Sequence, residues 1–134
     1  MAKSTKPRKQ NLRKISTEKA EAAKAEVQRL LDADVIRPVQ YPEWLANVVM
    51  VRKKNGKRRM CVNFTDLNKH CLKDPSPLPR IDKLVDIATS CEVTSLLDCF
   101  LGYHKIWLNP EDKEKTSFIT PRGTYCYRCK PKGL

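Results

Sequence analysis

The sequence predicts an α+β fold with mostly antiparallel strands and short helices. Three observations carry this expectation. One apolar stripe at helical spacing lies near the N-terminus, two strand–turn–strand patterns cover 44–64 and 116–129, and prolines or glycines punctuate the chain between them. A chain of 134 residues fits one such unit.

Residues 1–15 contain Lys3, Lys6, Arg8, Lys9, Arg13 and Lys14 with no acid and little apolar content, which predicts a flexible basic arm ahead of a domain over 16–134. Such an arm either tracks phosphates or is simply a solvated end. From Thr17 to Asp34, Ala20, Ala23, Val27, Leu30 and Leu31 recur three and four residues apart, so a helix would show one apolar face. Ser16 or Thr17 stands where a capping oxygen is wanted, and Glu18 and Glu21 suit the positive end of the helix dipole. Pro38 and Pro42 then force an extended connector over 37–43.

Trp44 to Val51 is apolar and β-rich, and Arg58 to Phe64 resumes that character. Asn55-Gly56 between the two runs predicts a hairpin closed by a type I′ turn, which needs positive φ at both central residues. Arg52, Lys53, Lys54, Lys57, Arg58 and Arg59 crowd its tip, a density of one sign that repels itself unless an anion answers it. Asp74-Pro75-Ser76-Pro77-Leu78-Pro79-Arg80 is a stiff extended crossing. Ile81, Leu84, Val85 and Ala88 mark a short amphipathic helix, and Val93 to Leu97 a strand ending on Asp98. Gly102 breaks that pattern before Lys105 to Leu108 resumes it. Asn109-Pro110-Glu111-Asp112 opens a helical turn with Pro at its first position. Residues 116–120, the turn Pro121-Arg122-Gly123-Thr124, and 125–129 form the second hairpin pattern.

Charge narrows the partner class. Residues 1–60 hold 16 Lys/Arg against 6 Asp/Glu, while 61–134 hold 11 against 9, so nearly all of the net +12 sits in the front half. A basic surface suits a polyanion, because each neutralised phosphate releases counterions; nucleic acid and anionic headgroups both qualify. No run approaches the roughly 18 uncharged apolar residues of a membrane span, and the charged N-terminus has no secretory signal pattern. The six cysteines, several within apolar runs, are then expected as reduced thiols. Cys126 and Cys129 have zinc spacing without a second close Cys/His pair, and His70 and His104 lack a paired base or nucleophile.

Several motifs in fixed order carry a family likeness. Val51-Arg-Lys-Lys-Asn-Gly-Lys-Arg-Arg-Met-Cys-Val-Asn-Phe-Thr-Asp-Leu-Asn-Lys69 resembles the fingers hairpin of reverse transcriptases from gypsy-class LTR retrotransposons. Pro77-Leu-Pro-Arg-Ile-Asp82, Leu97-Asp-Cys-Phe-Leu-Gly-Tyr-His-Lys-Ile106, Pro110-Glu-Asp-Lys-Glu-Lys-Thr-Ser-Phe-Ile-Thr120 and Gly123-Thr-Tyr-Cys-Tyr127 follow in that family's order. Tyr41-Pro-Glu-Trp-Leu-Ala-Asn-Val-Val49 is similar to the plant members, and the likeness runs from about Glu26 to Leu134.

The resemblance implies the N-terminal fingers and partial palm of a right-hand polymerase that copies RNA into DNA. It implies dNTP and RNA/DNA template-primer as partners and the remainder of a Pol polyprotein; the lack of a span or secretory pattern predicts no membrane and an intracellular location, cytoplasmic or nuclear. Two Mg²⁺ ions serve nucleotidyl transfer in such enzymes, and Mg²⁺ needs hard oxygen ligands held rigidly. By resemblance Asp98 is the first metal carboxylate and a catalytic residue, and the Cys99 backbone carbonyl a further ligand. Lys53 and Arg59 would fold over the incoming triphosphate, and Tyr103 would pack against the sugar and reject a 2′ hydroxyl. On its own residues Asp98 reads as an ordinary strand-end aspartate, Tyr103 equally as a core or interface tyrosine, and Lys54, Lys57 and Arg58 as a solvated turn.

Departures limit what residues 1–134 do alone. The family's second metal site is a Tyr-x-Asp-Asp hairpin, absent from these residues, and Asp32/Asp34 and Glu111/Asp112 lack its strand–turn setting. Arg58 replaces a usual tryptophan, Asn63 a usual aspartate and Leu101 a small residue; Lys130 and Lys132 replace apolar residues, predicting poorer packing of the chain's end. The expectation is a polymerase segment inert in isolation, with a non-catalytic basic nucleic-acid-binding remnant as the alternative.

Overall fold

The computed structural model describes residues 6–73, 75–99 and 102–134. Lys3 of the arm, Asp74 of the proline-rich crossing and the Leu101 departure lie outside the described residues.

The helical stripe folds as α1, Thr17–Asp32, with Ala23, Val27 and Leu30 buried. Ser16 is its N-cap by backbone geometry, yet no side-chain capping bond forms. Beyond it come β1 (Ile36–Pro38), β2 (Ala46–Arg52), β3 (Arg58–Val62) and the one-turn helix α2 (Thr65–Asn68). Helices α3 (Ile81–Thr89) and α4 (Pro110–Lys113) precede β4 (Phe118–Thr120) and β5 (Gly123–Tyr127). The five strands form one sheet in the order β1-β5-β4-β2-β3. Three pairings are antiparallel; β2 and β4 run parallel, with Ala46 opposite Phe118. The sheet and short helices are the predicted α+β architecture.

Phe118 sits at the centre, fully buried, with its ring 5.2 Å from that of Tyr127 and 6.2 Å from that of Tyr125. Phe64 meets Tyr127 edge-on at 6.3 Å. Val27 and Leu30 of α1, Ile36, Trp44, Val48 and Val62 complete this core. Its large rings explain how a small sheet buries enough apolar area to hold together.

Four details differ from the sequence reading. First, the β2–β3 hairpin forms, but not through a type I′ turn. Gly56 has φ 78° while Asn55 is not among the residues at positive φ. The Gly56 N–H donates to the Lys53 carbonyl (3.0 Å), and the Lys53 N–H donates to the Lys57 carbonyl (2.7 Å). This is a longer loop in which only the residue after the turn must be left-handed, so one glycine suffices.

Second, part of the expected flexible arm is docked. The Leu45 N–H donates to the Arg8 carbonyl (3.1 Å) and the Gln10 N–H to the Leu45 carbonyl (2.8 Å). Buried Asn47 donates from Nδ2 to the Asn11 carbonyl (2.7 Å) and accepts the Arg13 N–H at Oδ1 (3.2 Å). The buried amide of Asn47 needs these partners, and the arm's backbone supplies them.

Third, the chain's end is not loosened by its lysines. Pro131 is fully buried and Leu134 packs against the core. The Asn68 Nδ2 donates to the Gly133 carbonyl (2.8 Å).

Fourth, Val93–Leu97 is not a strand. Among the described residues it pairs with nothing, and Leu96 and Leu97 are 93% and 96% exposed. Helix α3 forms as predicted, yet it buries none of its residues. β propensity alone cannot make a strand, because an unpaired strand leaves its N–H and C=O groups to water. Accordingly, backbone amides of 93–98 should exchange with deuterium at unprotected rates, while those of β5 are protected. Protection at 93–97 comparable to β5 would mean that a strand forms without further chain.

Candidate functional site

A cleft of about 230 Å³ opens between α1, β3, the turn at 102–104 and the chain's end. Six of its lining residues define its chemistry: Glu26, Arg29, Arg59, Tyr103, Tyr127 and Lys132. β3 delivers Arg59, which stands opposite Val51 in the hairpin register. The 3₁₀ turn Gly102–Lys105 delivers Tyr103. The cleft therefore combines two residues that the sequence singled out from separate motifs.

The geometry around them is specific. The Arg29 guanidinium donates from Nη2 to Glu26 Oε1 (2.7 Å) and from Nε to Oε2 (3.0 Å), a two-pronged pair on successive turns of α1. That bonding holds the Glu26 carboxyl below the ordinary range; burial opposes it, and the charges of Arg29, Lys53 and Arg59 add to it. Tyr127 forms part of the wall, and burial followed by the Glu26 charge pushes its phenol upward, so it stays protonated. The Lys130 ammonium lies 5.5 Å from the Tyr103 ring centre, within cation–π range. Lys130, expected only as lost packing, thus stands over a site residue.

The other candidates lie outside the cleft. Lys53 sits at the exposed hairpin tip and bears on Glu26 through its charge. Asp98 and Cys99 are exposed and are not among the lining residues. The Cys99 carbonyl accepts the N–H of Gly102 (3.2 Å), a cleft residue, so this carbonyl stands one turn before the cleft. Arg58 is not a solvated turn residue: its Nη2 meets Glu18 Oε1 at 2.5 Å and ties the hairpin to α1.

Hard oxygens are what Mg²⁺ requires, and Asp98 with the free lone pair of the Cys99 carbonyl offers them. Two such ligands are too few for two ions. No group of three or more His, Cys, Asp or Glu side chains among the described residues could complete a metal site. Burial pushes the thiols of Cys126 and Cys129 up, and all six cysteines are free.

A family model described as "Reverse transcriptase (RNA-dependent DNA polymerase)" matches residues 51–134. The chain belongs to the reverse transcriptase family. Among curated relatives of this reverse-transcriptase segment, the enzymatic polyprotein of Cauliflower mosaic virus (strain CM-1841) is 33% identical over 113 residues, covering 81% of the chain and 16% of the polyprotein. The Pol polyproteins of transposons 412 and gypsy from Drosophila melanogaster are each 32% identical, covering 85% and 81% of the chain and 10% and 11% of their own lengths. The segment thus spans a small fraction of each retroelement polyprotein it matches, in line with the gypsy-class resemblance. The native protease–reverse transcriptase of prototype foamy virus shares the fold, with a TM-score of 0.77 at 22% identity over 98% of this chain and 18% of that one. No helix among the described residues is long and apolar enough to cross a membrane.

Sequence reasoning passed over Glu26, Arg29, Tyr127 and Lys132. Glu26 and Arg29 each directly precede a residue of the apolar stripe, Val27 and Leu30, and that adjacency was the one available signal. His104, which the sequence leaves without a paired base or nucleophile, also lines the cleft. His70 instead packs edge-on against Trp44 at 5.7 Å.

Acid should weaken the fold in a defined window. Glu18, held mainly by Arg58, Glu26, held mainly by Arg29, and Asp66, held mainly by Gln10, all titrate below their ordinary values of 4.5, 4.5 and 3.8. A carboxyl lowered on folding stabilises above its unfolded value, and that contribution disappears as pH falls through the folded one. The melting temperature should therefore be flat near neutrality and fall between about pH 5 and 3. A melting temperature unchanged across that range would contradict the assignment.

Proposed function

We propose that this segment is the triphosphate-gripping front of an RNA-directed DNA polymerase, with the cleft seating the phosphates and sugar of an incoming dNTP. The observation that carries the reading is the convergence of Arg59 and Tyr103 on one cleft. Arg59 grips phosphate oxygens with its planar fork, and Lys53 contributes a mobile point charge from the hairpin tip. Their positive charge offsets the negative charge that builds up during phosphoryl transfer. The Tyr103 ring, with Lys130 over it, presents a wall to the sugar that a 2′ hydroxyl would strike.

Asp98 and the Cys99 carbonyl are the ligands that would hold Mg²⁺, which when bound supplies charge to the attacking and leaving oxygens. A template-primer of RNA or DNA would follow the basic hairpin, inside a cell and within a longer Pol polyprotein. Because Asp98 rides on an unpaired segment and the second carboxylate pair is lacking, residues 1–134 alone bind without chemistry. Titration of the purified chain with a fluorescent dNTP tests the reading. Saturable binding that the triphosphate competes and the unphosphorylated nucleoside does not is the expected result; equal competition by the nucleoside would overturn it.

A further inference from the structure

Resting on the reading of the cleft as a nucleotide site, we infer that Glu26 is a built-in counter-anion that occupies Arg29 and sets the affinity and charge selectivity of the cleft. The carboxylate lines the same cleft as Arg59 and Lys132 and is clasped by both Nε and Nη2 of Arg29. It is the one carboxylate among the residues lining that cleft. Its side chain is about a third exposed, at 31%, so it faces an entering ligand rather than the core.

Fold stability gives only a small reason for the pair. Both partners lie on one helix, three residues apart, and partly exposed pairs of this kind add only a few tenths of a kcal/mol. The buried stripe of α1 is Ala23, Val27 and Leu30, and it does not involve them. What the pair changes is the cleft. A polyphosphate entering it meets Arg59 and Lys132 as attractions, Glu26 as a repulsion, and Arg29 as a guanidinium whose Nε/Nη2 edge is taken and whose charge is offset. To use that edge of Arg29, the ligand must compete with Glu26 for the bidentate clasp. With Glu26 held ionised by its neighbours, the brake operates throughout the neutral range.

The two halves of the pair therefore act in opposite directions. Glu26→Gln removes the repulsion and frees Arg29, and binding of a triphosphate should tighten by about fivefold to tenfold at low salt, as one charge removed at cleft distances implies. Arg29→Gln leaves Glu26 ionised and unclasped, and binding should weaken by a similar factor. A role in helix stability alone would shift both variants the same way and would not depend on the charge of the ligand.

The experiment is equilibrium titration of the full 134-residue chain and its E26Q, R29Q and R59A variants with a fluorescent dNTP, and by competition with inorganic tripolyphosphate. Unchanged thermal melts of the variants establish folding. Tighter binding in E26Q with weaker binding in R29Q supports the inference. Equal or weaker binding in E26Q overturns it, and if R59A still loses affinity the nucleotide reading of the cleft survives that failure. Conversely, opposite shifts for tripolyphosphate with no effect of R59A on the dNTP would keep the counter-anion and remove the nucleotide site. Binding by none of the four proteins overturns both.

Discussion

Phe118→Ala is expected to cost about 3–5 kcal/mol, within reach of the whole stability of a domain this size. The ring is fully buried on β4, the strand that joins β5 to β2, and it contacts the rings of both Tyr125 and Tyr127. Removing it takes away the transfer free energy of an aromatic side chain and leaves a hole flanked by rigid rings that cannot collapse into it. The same strand carries the parallel pairing with Ala46, so the two halves of the sheet loosen together. Denaturant titration followed by near-ultraviolet circular dichroism should show little folded protein. A loss below about 1 kcal/mol would place the centre of the core elsewhere.

Arg59→Ala should lower dNTP affinity by about tenfold to a hundredfold, the effect of a charge-assisted hydrogen bond worth about 1.5–3 kcal/mol. Location is the argument. Arg59, on β3 just past the hairpin tip, lines the cleft, whereas Lys57 sits in the turn and does not. If the cleft grips phosphate, Lys57→Ala should matter severalfold less, and Arg59→Lys should recover only part of the loss, because an ammonium replaces the charge but not the fork. Equal losses from Arg59→Ala and Lys57→Ala would reduce the hairpin to a diffuse positive field.

Local signals transferred well from sequence to structure where they could be satisfied locally. The stripe Ala23, Val27 and Leu30 became the buried face of α1, and Asn109 caps α4 by accepting the Glu111 N–H (3.2 Å). The first hairpin formed where Asn55-Gly56 announced it, although the turn type depended on register, which the dipeptide does not fix. Val93–Leu97 shows the opposite case: its pattern is that of a strand, but a strand is a property of a pair, and among the described residues it has no partner. The candidate site was legible at Arg59 and Tyr103, through motifs that match the family. Glu26 and Lys132 were not, because their roles arise only when α1 and the chain's end are folded against the hairpin. Lys130 looked like damage in the sequence; in space it stands over the Tyr103 ring.

On the proposed function, this segment carries the phosphate grip and one metal carboxylate of a reverse transcriptase but not a complete active site. The decisive measurement is primer extension on an RNA template with Mg²⁺, dNTPs and purified residues 1–134. No incorporation by the chain alone is expected, despite measurable dNTP binding. Template-directed, Mg²⁺-dependent incorporation that Asp98→Asn abolishes would contradict it, since one carboxylate would then be doing the work assigned to two sites.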